Sequence, residues 1–317
     1  MAVYTKLDDG EILEVLAHFS ISSVKLIEGI AKGSENSNYF VETASGKYIL
    51  TIFENRVNEE NIPYILDTLT KLSEANIICP NIIAATSGQR RYTLPSGKIC
   101  ILQTFMDGDD VLAPSQLQCY GAGKTLAALH NVSNTLDTPS IENSMGLNSI
   151  SGIFSEMKKM KGADERKEVL ELITQEISYQ NGLKSINVPS GFIHGDYFKD
   201  NVLFTETIVS GVIDFWFSCE GAYIYDLAIA LNAWGFDDGK FSESNFIAFL
   251  QGYTDRRVLN ESERTHLPNM LRLSALRFLV TRLYDEINGK NPKIMANKPS
   301  QTWQMRLKYH QDKSWEF

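Results

Sequence analysis

The sequence is short of cysteine and of positive charge. It contains 4 cysteines in 317 residues, Cys79, Cys100, Cys119 and Cys219, spread out and without a C-x-x-C pair. That spacing argues against both a zinc site and a disulfide framework, and the four read as buried thiols of a reducing cytosol. Lys and Arg number 30 against 39 Asp and Glu, a net charge of −9. The basic footprint needed for nucleic acid or an anionic membrane is therefore missing, and a small-molecule partner is expected. No apolar run approaches the roughly eighteen residues of a membrane helix. The opening stretch MAVYTKLDDGEILEVL has Asp8 and Asp9 ahead of its apolar residues and no basic start, unlike a signal peptide. No fixed-period repeat is visible, which sets aside solenoids and propellers. What is present is ordinary globular composition, 43% hydrophobic and 22% charged, in a chain long enough for one large domain or two lobes. A cytoplasmic protein is the expectation.

The apolar pattern changes character along the chain. Helical spacing over 11–20 gives way to SNYFVETASGKYILTIFE (37–54), two strands around the turn Ala44-Ser45-Gly46. Helical spacing returns over 60–74, and a second strand pair flanks Pro95-Ser96-Gly97 before the turn-rich MDGDD (106–110). Beyond it helices dominate: 115–130, a charged stretch over 151–183 with breaks near Gly162 and Gly182, then 224–232, 243–253 and 262–287. Two short strands, 201–204 and 208–213, interrupt them. A β-rich first third and a mainly helical remainder predict an α+β fold of two lobes, divided at 106/107, with a ligand cleft between them.

The chemistry-bearing stretch is GFIHGDYFKDNVLF (191–204), five polar or turn-forming positions set between apolar flanks. Asp196 lies five residues before Asn201, and GVIDFW places Asp214 at the end of an apolar strand. Phosphoryl transfer needs such a set: one carboxylate to orient the attacking hydroxyl and take its proton, and an Asn and a second Asp to hold Mg²⁺ against nucleotide phosphates. Mg²⁺ takes hard oxygen ligands and few of them from protein. The Asp196/Asn201 spacing is that of a kinase catalytic loop, and Asp-Phe-Trp stands where that template has Asp-Phe-Gly. Singly, each residue also fits a turn or helix cap; together they point to catalysis. His194 reads as a scaffold residue for the loop backbone, since Asp196 already fills the base role. GIAKGSENSNYF (29–40), with Gly29 and Gly33 followed by Ser34, Asn36, Ser37 and Asn38 before a strand, is the candidate phosphate cradle. It matches neither standard glycine-rich phosphate motif.

LAALH, FIHGDYFKDNVLF, GVIDFW and YDLAIALN, in this order, resemble the aminoglycoside-phosphotransferase and choline-kinase-like superfamily. More narrowly, MAVYT, GIAKGSENSNYFV, YILTIFE, YDLAIALNAW and LRFLVTRLYD are similar to the bacterial homoserine kinases within it, from Met1 to about Arg306. The resemblance implies a bilobal protein-kinase-like fold and an ATP- and Mg²⁺-dependent enzyme that phosphorylates L-homoserine for threonine synthesis. It makes Asp196 the base, Asn201 and Asp214 the metal ligands, Gly33 to Asn38 the loop over the phosphates, and Gln103 to Phe105 the segment meeting adenine. The superfamily's strand lysine or arginine is replaced by Thr51, and apolar Leu66 stands where its helix Glu is expected. Homoserine kinases of this type resemble the chain in having that threonine. Lys32 and Lys199 are candidate substitutes, or else solvated surface residues.

Homoserine needs a fixed cation for its carboxylate and acceptors for its ammonium. Arg277 and Arg282 in LSALRFLVTRLYDEI, and Asp226, Asn232 and Trp234 in YDLAIALNAW, are the candidate substrate residues. Bland alternatives exist for several: Arg282 with Asp285 as a surface pair, Asp226 as a cap or scaffold acid, Trp234 as core. Two other functions stay open at this level, a kinase of another small alcohol (choline, ethanolamine, a sugar or an aminoglycoside) and a non-catalytic nucleotide-binding module.

Overall fold

The computed structural model describes residues 4–30, 36–54, 59–136, 141–184, 186–237, 239–289 and 299–317. Helix α1 (Asp9–His18) starts where Asp8 and Glu11 form a reciprocal capping box, and it buries Ile12, Val15 and Leu16. An antiparallel sheet follows, built from β1 (Val24–Ile30), β2 (Ser37–Thr43), β3 (Lys47–Ile52), β4 (Tyr92–Thr93) and β5 (Ile99–Thr104) in the order β1-β2-β3-β5-β4. Alternation along β2 sends every second residue into the core, so Tyr39 and Val41 pack with Leu50, Ile52, Leu102 and the α1 stripe.

Helix α2 (Ile62–Glu74) joins the two halves of the molecule. Ile62 and Leu66 pack with Phe53, Ile99 and Ile101 of the sheet, while Tyr64, Ile65, Leu69 and Leu72 belong to the core of the helical part. Leu66 is thus a buried member of the sheet-side core, an apolar residue where a glutamate is expected.

Short pairings frame the catalytic stretch. They are β6 (Asp109–Asp110) with β8 (Val202–Thr205) and β9 (Ile208–Val212), and β7 (Ser190–Ile193) with β10 (Cys219–Ala222). Helices α3 (Gln116–Ser133), α4 (Leu147–Met157), α5 (Lys167–Gly182), α6 (Tyr223–Trp234), α7 (Glu243–Thr254), α8 (Glu261–Ile287) and α9 (Ser300–Asp312) make up most of the rest. α3 and α7 approach closely because both carry glycine at the crossing. A Cβ on Gly123 would lie 2.0 Å from the Phe249 carbonyl oxygen, and one on Gly252 would lie 2.0 Å from that of Tyr120. Every residue of α6 is buried, making it the central core helix on which the other elements are hung.

The β1 strand, the short β6, β7 and β10 pairings and the α9 helix lie outside the elements read from periodicity. Most of these strands are two to four residues long, too short for alternation to register. No described helix is long and apolar enough to cross a membrane.

Candidate active site

The catalytic stretch leaves β7 at Ile193 and is shaped from beneath by α6. The buried Asp226 carboxylate accepts the His194 and Gly195 amides, each at 2.8 Å, and the His130 ring at 3.0 Å. Burial alone would raise the Asp226 pKa, but the hydrogen bonds it accepts, from the His130 ring first and then from the Gly195 amide, outweigh it and the net shift is downward. Asp226 is therefore a carboxylate. Burial lowers the pKa of both histidines, so they are neutral. His194 Nδ1 accepts the Asp196 amide at 3.2 Å, leaving Nε2–H to donate to the Ile213 carbonyl at 3.0 Å. The ring thus fixes the catalytic loop to Ile213, between the end of β9 and Asp214, and both of its nitrogens are occupied.

Gly195 sits at φ +74°, and a Cβ there would come 2.5 Å from the Phe217 carbonyl oxygen. Its own carbonyl accepts from Arg277 Nη1 at 2.8 Å. Backbone conformation, the α6 carboxylate and the α8 guanidinium together position the residue before Asp196.

Asn201 closes the loop. Its Nδ2 donates to the Asp196 carbonyl at 2.8 Å and to Asp196 Oδ2 at 3.2 Å, which leaves the side-chain oxygen as the end it offers a ligand. The Ile213 amide donates to the Asn201 carbonyl at 3.0 Å, tying the end of the β8–β9 hairpin to the loop. Asp214 follows in the left-handed region, φ 66° and ψ 58°, a conformation that Asp tolerates better than most residues. The turn continues to Trp216, which packs edge-on against Phe53 with centroids 4.7 Å apart.

Asp196, Asn201 and Asp214 line one cleft of about 330 Å³ together with Asp200. Its other wall is the sheet, contributing Ile30, Asn36, Asn38, Ile49, Thr51 and the Gln103–Phe105 segment. Thr51 donates its hydroxyl to Asn38 Oδ1 at 2.8 Å and accepts from Gln103 Nε2 at 3.4 Å. A neutral hydrogen-bonded trio thus occupies the position of the superfamily's strand cation. Among the described residues lining the cleft the cations are Arg277 and Arg282, and no lysine is present.

Several expectations need correction. Ser37 does not line the cleft: its hydroxyl donates to Glu54 at 2.7 Å and accepts the Tyr4 and Thr5 amides, on the strand face opposite Asn38. Lys199 is held by Asp237 at 2.6 Å and by the Phe236 carbonyl at 3.1 Å, so it is a brace and not a phosphate ligand. Asp226, Asn232 and Trp234 are fully buried on α6 and are absent from the cleft wall. Asp226 serves the loop backbone. Asn232 donates to the Leu271 carbonyl and the Ser274 hydroxyl and accepts from His310 at 2.9 Å. Trp234 Nε1 donates to the Tyr197 carbonyl at 3.1 Å. All three are scaffold, because a helix buried all round has no face to give a ligand. Gly33, Ser34 and Lys32 lie outside the described residues.

Sequence reasoning missed the walls that follow the motifs: Phe217 after Asp214, and Phe278 and Thr281 on α8. Thr281 is four residues after Arg277 and Phe278 four before Arg282, so helical spacing from either arginine was a usable signal.

Residues 26–261 match the model of the phosphotransferase enzyme family. The chain is 39% identical over 287 residues to a homoserine kinase of Phenylobacterium zucineum, covering 90% of this chain and 88% of that one. It is 36% identical over 313 residues to a homoserine kinase of Methylobacterium radiotolerans, covering 98% and 96%. Among solved structures, amicoumacin kinase in complex with AMP-PNP, Ca²⁺ and Ami superposes with a TM-score of 0.71 at 15% identity, covering 96% of this chain and 94% of that one. A microcompartment-associated aminopropanol kinase gives 0.66 at 18% identity, covering 96% and 97%. The fold is therefore the bilobal, protein-kinase-like one, and the chain belongs to the phosphotransferase enzyme family, with homoserine kinases as its relatives.

Proposed function

We propose that the protein transfers the γ-phosphoryl group of ATP to the side-chain hydroxyl of L-homoserine, giving O-phospho-L-homoserine for threonine biosynthesis. The observation that carries this reading is near-full-length similarity to homoserine kinases at 33–39% identity in a chain that keeps Asp196, Asn201 and Asp214 in one cleft. A binding module has no use for a base beside the metal ligands.

In this reading residues 1–106 form the nucleotide lobe and 107–317 the catalytic and substrate lobe. Adenine lies against the Gln103–Phe105 segment between Ile30 and Ile49 of the sheet and Leu203 and Ile213 below. Asn36 and Asn38 stand on the phosphate side. Asn201 and Asp214 would hold Mg²⁺, and their donor set fits it: one carboxylate and one amide oxygen, hard ligands and few in number. When bound, the ion supplies charge neutralisation across the β- and γ-phosphates.

Asp196 accepts the proton of the homoserine hydroxyl as that oxygen bonds to the γ-phosphorus and the bond to the β-phosphate oxygen breaks, releasing ADP. The Asn201 amide and the backbone hydrogen bonds around Gly195 keep the Asp196 carboxylate in place for that transfer. A cytoplasmic enzyme agrees with four free, buried thiols whose pKa burial raises to about 12.

The test is ADP release from MgATP with L-homoserine beside choline, ethanolamine, methylthioribose and kanamycin as separate acceptors. Turnover with homoserine alone is expected. Strong turnover with another acceptor instead would keep the phosphotransfer chemistry and discard the substrate, and ATP binding with no turnover of any acceptor would discard the enzyme.

A further inference from the structure

Two arginines of α8 reach the cleft, and the structure separates their work. We infer that Arg282, and not Arg277, receives the carboxylate of the acceptor and so sets the preference for an amino-acid alcohol; the inference rests on the homoserine reading above. Five residues apart on a helix, the two side chains leave α8 about 140° apart, so they cannot share one partner in one geometry.

Arg277 is committed to the protein. It is 3% exposed, donates to the Gly195 carbonyl, and lays its guanidinium 4.7 Å from the centroid of the Phe278 ring. Its charge serves the catalytic loop, and removing that bond would release the residue before Asp196.

Arg282 is not committed. It lines the cleft, and its Nε is buried without a hydrogen-bond partner. Asp285, three residues further on, is itself buried, so it is not half of a surface pair. A guanidinium N–H out of water with no acceptor is a liability that an incoming anion removes. The planar fork of an arginine matches a carboxylate through two parallel N–H bonds, and the α-carboxylate is the group that distinguishes homoserine from simple amino alcohols. Position favours the acceptor over the nucleotide. Arg282 belongs to the part of the cleft lining that α8 contributes, with Phe278 and Thr281, whereas Asn38, Thr51 and Gln103 come from the sheet.

The experiment compares wild type with Arg282→Ala, Arg282→Lys and Arg277→Ala, reading KM for L-homoserine, KM for ATP and kcat. Competition by 3-aminopropanol, which keeps hydroxyl and ammonium but lacks the carboxylate, is measured on each. Arg282→Ala should raise the homoserine KM roughly 10- to 100-fold, the loss expected for a charged hydrogen bond, and leave the ATP KM unchanged. Its inhibition by 3-aminopropanol should change less than about threefold, because that ligand never used the fork. Arg282→Lys should recover part of the loss, and guanidinium ion added to Arg282→Ala should recover some as well. Arg277→Ala should lower kcat with a smaller effect on the homoserine KM.

The inference is overturned if homoserine and 3-aminopropanol weaken equally in Arg282→Ala, if the ATP KM rises with them, or if the carboxylate-selective loss appears at Arg277. Should Arg282→Ala fail to fold, Arg282→Lys decides, since a wild-type homoserine KM there would remove the fork. Absence of homoserine turnover in the wild type is a different failure: it removes the substrate reading itself.

Discussion

Asp226 accepts the Gly195 amide at 2.8 Å from 31 residues further along the chain, and it does so with a side chain wholly shut off from water. The conformation of the catalytic loop therefore depends on a charge that never meets substrate. Replacing Asp226 by Asn keeps the shape but puts an amide nitrogen where one carboxylate oxygen accepted a hydrogen bond. We expect kcat to fall roughly 100-fold or more and stability to drop by about 2–3 kcal/mol, since hydrogen bonds to a buried charge are among the stronger ones. Nucleotide affinity should be nearly unchanged. Steady-state kinetics beside ATP titration and thermal unfolding give the three numbers; a wild-type kcat would remove Asp226 from the positioning role.

Three buried histidines give the fold a pH dependence with a defined sign. Burial lowers the pKa of His130 and His194, and burial with nearby arginines lowers that of His310 to about 3. Below the unfolded-state value of about 6.5 the unfolded chain takes up protons that the native state refuses. The native advantage is therefore whole above about pH 6.5 and is lost as pH falls toward the folded values. The slope is about 1.4 kcal/mol per pH unit for each histidine so affected. Urea unfolding between pH 7 and 5 should show this slope. His310→Gln, which still offers Asn232 a donor, should flatten it; an unchanged slope would mean that His310 titrates alike in both states.

Legibility in the sequence followed the range of the signal. The hairpin over 37–54 and the helices of the second half were readable because each carries its own periodicity. Asp196, Asn201 and Asp214 were readable because their spacing along one loop and one strand end is itself what brings them into a single cleft. Substrate residues were not readable in that way. Asp226, Asn232 and Trp234 are polar or amphipathic residues near the motifs, and only the burial of α6 on every side shows that they face inward. YIYDLAIALNAW held a hint, since its apolar residues surround the whole helix and leave no polar face. Ser37 failed for a simpler reason: a side chain's strand face is fixed by register, and register depends on partner strands that local spacing does not reveal.

Asp196→Asn isolates the proton-transfer step. The replacement retains the size of the side chain and can still hydrogen-bond to Asn201, but it cannot take a proton. Turnover should fall by roughly 100- to 10,000-fold, the usual worth of a general base, with ATP affinity within about threefold. Turnover near wild type would place the base elsewhere.

Asn201→Ala and Asp214→Ala test the proposed metal ligands separately. Asn201 also braces Asp196, so its loss should lower kcat as well as raise the Mg²⁺ concentration needed for half-maximal rate. Asp214→Ala should act mainly through the metal, and excess Mg²⁺ or Mn²⁺ should restore part of its activity but little of the Asn201 defect. Metal titrations at saturating ATP and homoserine make the comparison. Identical metal dependence in wild type and Asp214→Ala would remove that carboxylate from the coordination set.

Thr51 stands where the superfamily resemblance leads one to expect a cation, and its hydroxyl links Asn38 to Gln103 on the sheet side of the cleft. Valine matches threonine in shape and lacks only the hydrogen-bonding group. With Thr51→Val, Asn38 Oδ1 loses its donor at 2.8 Å, and Gln103 loses the acceptor that orients its amide. Both residues then sample other rotamers beside the nucleotide. We expect the ATP KM to rise roughly 3- to 10-fold, the equivalent of one buried hydrogen bond, with the homoserine KM unchanged. If Thr51→Val instead impairs homoserine and spares ATP, the sheet wall is not where the nucleotide binds, and the two ligands would have to exchange places in the cleft.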